Sequence, residues 1–190
     1  SLKLIESIVN LSPVPLVLDA SALMALGSQI SVLRSAKHLP VITPHPGEMA
    51  QLLGLPIDEI QNNRIEVALY NAKLWNCVIV LKGLNTVIAT PFGSVFINPT
   101  GNQNLATAGS GDLLTGLVGS FIATGMKSEH AAQAGVFIHG LAGDLAPVGR
   151  GYKAGDFLAN YKKVFQLLDS TSLMQPHWPY LKSVRPRFSS

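Results

Sequence analysis

The stretch Ala108-Gly109-Ser110-Gly111-Asp112-Leu113-Leu114-Thr115-Gly116 passes at once from small residues to an apolar helical pattern. Glycines at a helix start let a ligand approach the backbone, and the first N–H groups have no acceptor inside the helix. They offer a seat to phosphate oxygens or to developing negative charge. Read this way, Gly109, Ser110 and Gly111 form an anion hole. Asp112, in the same turn, is placed to take a proton from an attacking hydroxyl as general base. A plainer alternative stays open: Ser110 caps the helix and Asp112 only favours its dipole. Two other phosphate-binding patterns are disfavoured. No Gly-Lys-Ser/Thr follows, as a Walker A loop requires, and Leu114 stands where the third glycine of a dinucleotide fingerprint belongs.

Outward from this segment, short apolar runs bounded by Pro, Gly or Asn alternate with helical patterns, which predicts α/β layering with a mostly parallel sheet. Residues 15–19 (Pro-Leu-Val-Leu-Asp) read as a buried strand ending in a carboxylate, with a short helix from about Ser21. Asp19 either helps to bind substrate or caps that helix. A strand over 40–43 leads into His45-Pro46-Gly47-Glu48 and a helix that Gly54 stops after Leu53. Asp58 reads as the cap of one helix running to about Asn76. Residues 77–81 (Cys-Val-Ile-Val-Leu) are too short and too β-branched for a helix and predict a fully buried strand. Strands over 86–89 and 95–97, separated by Pro91-Phe92-Gly93, predict a hairpin. After a loop over 98–104 come helices over 110–124, 128–145 and 154–168; residues 171–190 lack periodicity and read as an irregular tail.

Composition narrows the function classes. The 190 residues are 47% hydrophobic and only 13% charged, so a large buried core is expected and extensive disorder is not. The net charge of +3 owes part of its excess to Lys182, Arg185 and Arg187 near the end, and no basic stripe interleaved with aromatics marks a nucleic-acid face. Trp75, Trp178 and Tyr180 suggest no stacking platform. Cys77 is the single cysteine, which leaves no intrachain disulfide or cysteine-based zinc site and fits a reducing cytoplasm. Residues 1–10 lack the pattern of a signal peptide, and the most apolar window, 131–149, is broken by Gln133, His139 and Asp144, so no membrane partner is expected.

Two further segments lie where open α/β sheets place ligands, at the carboxyl ends of predicted strands. Thr43-Pro44-His45-Pro46-Gly47-Glu48 is fixed by two prolines, and Lys82-Gly83-Leu84-Asn85-Thr86 offers a cation, a flexible backbone and polar side chains, or is an ordinary turn. Asn102 and Thr107 either orient phosphates or shape turns. His139 and Asp144 read as structural groups of an apolar helix, and Cys77 as inert packing.

Taken in order, these segments resemble the NAD(P)H-hydrate dehydratases, carbohydrate-kinase-like members of the ribokinase superfamily. The resemblance runs over residues 14–168. It rests on Leu18-Asp19-Ala20 with Leu23, on Thr43 to Glu48, on Lys82-Gly83 with Thr86, on Asn98 to Asn102, on Ala106-Thr107 with Gly109 to Gly116, and on His139-Gly140-Leu141-Ala142-Gly143-Asp144. Ala108 departs from it, standing where many members have glycine. The resemblance implies a ribokinase-like three-layer sandwich with a mostly parallel sheet over residues 1–170, lacking its first strand-helix units. It implies repair of hydrated NADH or NADPH, with ADP or ATP consumed and Mg2+ present. Asp112 would be catalytic; Lys82, Gly83, Leu84, Asn85, Thr86 and Gly111 would hold the nucleotide; His45 and Asp112 would face the hydrated dinucleotide; Glu48 would hold magnesium through water. A homo-oligomer is implied, tetrameric in the family, with an epimerase domain or the absent leading segment as candidate partners. A sheet opened at its start exposes an edge or an apolar face, which predicts self-association or poor solubility unless something covers it. Two rival functions remain: a kinase of the same superfamily that stops after phosphorylation, and a nucleotide-binding module without catalysis.

Overall fold

The structure, a computed structural model, describes residues 2–146, 149 and 151–170. In chain order it comprises α1 (Leu2–Leu11), β1 (Val17–Leu18), α2 (Ala20–Leu26) continued by a 3-10 stretch (Gly27–Ser35), β2 (Val41–Ile42), α3 (Pro46–Leu53), α4 (Ile57–Asn62), α5 (Arg64–Trp75), β3 (Val78–Leu81), β4 (Val87–Ala89), β5 (Val95–Ile97), a 3-10 turn (Gln103–Leu105), α6 (Ser110–Ala123), α7 (Ser128–Asp144) and α8 (Asp156–Asp169). The five strands form one sheet in sequence order. β1, β2 and β3 are parallel, and the β4–β5 hairpin adds two antiparallel pairings.

Strand alternation creates the layers, because successive side chains point to opposite faces. Ile42, Ile79 and Leu81 point into a core with the helices of the first half of the chain, including Leu23, Met49, Ala68 and Ala72. Val41, Val78, Val80 and Ile88 point the other way, onto Leu114 and Val118 of α6 and Ala131 and Val136 of α7. Both faces are covered, which is why residues 77–81 carry no polar alternation. The expected layering is present.

Two local differences have clear causes. The helix expected from Asp58 to Asn76 is two helices, broken at Asn63, whose backbone leaves the helical region (φ −128°, ψ 35°). The Asn63 side chain donates to the Glu59 carbonyl at 3.0 Å, taking the acceptor that its own N–H would have used. Asp58 lies in the first turn of α4, whose cap is Pro56. At the start of the chain α1 adds an amphipathic helix that buries Val9, an element absent from the sequence reading. No helix among the described residues is long and apolar enough to cross a membrane. The expected tail, 171–190, lies outside the described residues.

Candidate active site

The parallel strands deliver three polar segments to one end of the sheet. Asp19 follows β1, Thr43-Pro44-His45 follows β2, and Lys82 follows β3. There Lys82 Nζ donates to Asp19 Oδ1 at 2.8 Å and stands 3.8 Å from Glu48 Oε2. Thr115 Oγ1, one turn into α6, donates to Asp19 Oδ2 at 3.2 Å. The Asp19 side chain makes no cap bond to α2, so the capping alternative gives way to this cluster. Burial alone would raise the Asp19 pKa; the Lys82 ammonium and the donors around it reverse that and hold the carboxyl below its ordinary value. The Thr43 hydroxyl also favours the charged form from the same side, though it is fully buried and makes no hydrogen bond of ordinary geometry among the described residues.

His45 and Glu48 lock each other through a capping box at the start of α3. His45 Nδ1 accepts the N–H groups of Gly47 and Glu48 at 3.0 and 3.1 Å, and Glu48 Oε2 accepts the His45 N–H at 2.7 Å. Because Nδ1 is an acceptor, neutral His45 carries its proton on Nε2, on an exposed ring. Glu48 Oε1 takes no hydrogen bond of ordinary length among the described residues; His45 Nε2 stands 3.7 Å from it. Among the described residues no group of three His, Cys, Asp or Glu side chains could hold a metal ion, so a divalent cation here would need ligands from a bound phosphate, with Glu48 reaching it through water.

A cleft of about 590 Å³ opens beside this cluster. Lys82, Gly83, Leu84, Asn85 and Thr86 form one wall, the segment from Thr100 to Thr107 the other, and Ser110, Gly111, Leu114 and His139 line it between them. His45 belongs both to this cleft and to an open hollow of about 760 Å³ along α2 and α3, which Glu48 also lines. Nearly all the residues singled out from the sequence for nucleotide and anion binding thus meet in one place. Gly109 and Asp112 are outside the cleft lining. Asp112 is exposed and engages no other side chain among the described residues.

The start of α6 differs in detail from the expected anion hole. Gly109 enters the helix in the left-handed region (φ 85°), where a side chain would be strained. The Ser110 N–H is already given to the Thr107 carbonyl at 3.2 Å, and its hydroxyl is buried against His139. The N–H groups of Gly109, Gly111 and Asp112 meet no acceptor among the described residues, so of the three expected amides only that of Ser110 is already taken. Gly111 presses on the charge cluster: a Cβ there would stand 3.2 Å from Asp19 Oδ2 and 3.4 Å from Lys82 Nζ. Asn102 behaves as a turn residue, capping Asn104 and donating to the Gly143 carbonyl, and Thr107 donates to the Tyr152 carbonyl. Asp144 accepts the Gly101 N–H at 2.9 Å. Thr115 and Arg64 escaped the sequence reading. Arg64 donates to the carbonyls of Leu81 and Lys82, steadying the lysine from behind; nothing in the sequence around it signals that contact.

Known proteins resemble this chain over most of its length. A family model described as NAD(P)H-hydrate dehydratase matches residues 2–162. The bifunctional NAD(P)H-hydrate repair enzyme of Moorella thermoacetica is 48% identical over 158 residues, covering 82% of this chain and 30% of the relative. The crystal structure of the ADP/ATP-dependent NAD(P)H-hydrate dehydratase of Bacillus subtilis, co-crystallised with ATP/Mg2+, is similar with a TM-score of 0.71 and 32% identity, covering 82% of this chain and 55% of that one. A ribokinase-like superfamily protein of Enterococcus faecalis V583 is similar with a TM-score of 0.67 and 25% identity over 87% of this chain and 58% of that one. The fold is ribokinase-like, and the chain spans about half the length of these solved structures.

Proposed function

Because this chain belongs to the NAD(P)H-hydrate dehydratase family, we propose that it carries out nucleotide-dependent dehydration of hydrated NADH or NADPH, a carbon–oxygen lyase reaction that restores the reduced dinucleotide. The observation that carries the reading is the convergence of Lys82, Gly111 and the free N–H groups at the start of α6 on one cleft. An ammonium held at the cleft by carboxylates, beside amides that meet no acceptor among the described residues, suits the terminal phosphates of ADP or ATP. The turn from Lys82 to Thr86 holds the nucleotide, and Asp112, exposed and unpaired, takes the proton from the hydrate hydroxyl.

The hydroxyl oxygen then bonds to the terminal phosphorus as the bridging bond of the nucleotide breaks, and the nucleotide departs one phosphate shorter. Loss of the new phosphate ester from the ring breaks the carbon–oxygen bond, and loss of a neighbouring ring proton restores the double bond. His45, with Nε2–H exposed between cleft and hollow, is suited to hold the dinucleotide. Bound magnesium would neutralise phosphate charge, with Glu48 as its water-mediated carboxylate. A reducing cytoplasmic setting and a homo-oligomer belong to the same reading; a lone buried cysteine, Cys77, is consistent with the former.

Incubation with hydrated NADH, magnesium and either ADP or ATP, followed by reduced-nicotinamide absorbance, tests this. Regeneration is expected with a nucleotide and is expected to vanish in Asp112→Asn. Accumulation of a phosphorylated hydrate without ring recovery would identify a kinase instead, and tight ADP binding without turnover, indifferent to Asp112→Asn, a binding module.

A further inference from the structure

Behind the phosphate-binding end of α6 runs a chain of three polar side chains, two buried and the third half-buried, that the proposed reaction leaves without a task. Ser110 Oγ is 2.9 Å from His139 Nε2 on α7, and His139 Nδ1 is 2.6 Å from the Tyr161 hydroxyl on α8. Ser110 and His139 are only 4% and 7% exposed, yet both line the cleft. Burial, with Lys82 nearby, pushes the His139 pKa down to about 4, so the ring is neutral and one nitrogen must donate while the other accepts.

The two distances favour one direction. N–H···O hydrogen bonds run roughly 2.7–3.2 Å and those of hydroxyl donors roughly 2.5–3.0 Å, so the short contact decides: it lies below the range of an N–H donor and within that of a hydroxyl. The 2.9 Å contact fits Nε2–H giving to Ser110 Oγ, and the 2.6 Å contact fits the phenol giving to Nδ1. A phenol is also the strongest acid of the three groups and the imidazole nitrogen the best acceptor. In this direction Ser110 Oγ accepts a hydrogen bond from behind, and its own O–H has no acceptor among the described residues. It sits one residue before Gly111, which adjoins Lys82.

Resting on the nucleotide-dependent reading above, we propose that Tyr161 and His139 are positioning residues that turn the Ser110 hydroxyl outward, making it a further donor to the phosphate bound beside Lys82 and Gly111. The relay moves no proton; it fixes which way three hydrogen bonds run.

Two measurements test it. In the 15N-histidine NMR spectrum of the chain, His139 is expected with its proton on Nε2; a proton on Nδ1 overturns the inference whatever the nucleotide does. By calorimetry, Ser110→Ala is expected to weaken ADP about tenfold and Tyr161→Phe about fivefold, as loss of a charge-assisted bond and loss of its orientation predict. Adenosine, which lacks phosphate, should bind each variant as it binds the parent. The double variant should be no weaker than Ser110→Ala alone. Equal losses for adenosine, or additive losses for ADP, overturn the relay alone and leave the nucleotide reading standing. Failure of the unaltered chain to bind ADP overturns both.

Discussion

On one wall of the cleft Lys82 stands at the end of β3 between Asp19 and Glu48, held by charge and by Arg64 from behind; on the other, the segment from Asn98 to Thr107 is pressed onto a helix that has no side chains where the two meet. A Cβ on Gly140 would overlap Thr100 Oγ1 and stand 2.7 Å from the Thr100 carbonyl oxygen, and one on Gly143 would stand 2.8 Å from Leu105 Cγ. Thr100 is tied down further, donating to the Phe137 carbonyl at 3.0 Å. The contrast separates two ways of fixing a binding surface. A wall of paired charges is sensitive to protonation and salt but has room to move, while a wall of close-packed backbone is indifferent to salt and admits no added atom.

The largest expected effect follows from that difference. Gly140→Ala should cost about 3 kcal/mol, because the neighbour it meets is backbone that cannot step aside; the gain in helix propensity, about 1 kcal/mol, is too small to offset this. Lys82→Met should cost less, about 2 kcal/mol, since Asp19 loses its cation but keeps its Thr115 donor, yet it should abolish most ADP affinity. Urea denaturation of both variants beside ADP titration would check the pair. If Lys82→Met proved the more destabilising, the distinction between the walls would fail.

Much of this layout is legible in the sequence, and what is hidden has a common cause. The run from Cys77 to Leu81, the proline-fixed turn after residues 40–43 and the glycines before Asp112 are local signals, and the rule that ligands gather at strand ends carries them to one place. Contacts between distant residues are not local. Nothing near Asp19 announces Lys82, and nothing near Thr115 announces Asp19. Ser110 looks like a cap until α7 and α8 bring His139 and Tyr161 behind it. The break at Asn63 was missed because periodicity continues across it, and a single side chain competing for a carbonyl leaves no trace in the pattern.

Acid separates the walls by pH window. His139, on the packed side, has its pKa lowered from the usual 6.5 to about 4, chiefly by burial. Between those values the unfolded chain binds a proton that the folded chain refuses, so stability should fall as pH drops through that window, by roughly 3 kcal/mol at its end. Asp19 works lower. Its depressed pKa means that the stability it contributes is complete above about pH 4 and is lost as pH falls through the folded value. Stability measured from pH 7 to pH 3 should therefore decline in two stages. Asp19→Asn should remove only the second stage and Tyr161→Phe should alter only the first. A single stage abolished by Asp19→Asn would mean that the charged wall governs both.

The smallest effect concerns how firmly the charged wall holds its lysine. Thr115 gives Asp19 a second donor, on Oδ2, while Lys82 takes Oδ1. Thr115→Val keeps the shape and removes that donor, at a cost of about 1 kcal/mol. With one partner gone, the carboxylate depends more heavily on Lys82, and a phosphate arriving in the cleft must draw the ammonium away from a more demanding neighbour. ADP affinity should then fall by about threefold although Thr115 itself does not line the cleft, and Thr115→Ser, which keeps the hydroxyl, should recover most of it. Should Thr115→Val strengthen ADP instead, Asp19 would be acting through its own negative charge on the phosphate and not through its hold on Lys82, and the lysine would be a free cation that the carboxylate merely accompanies.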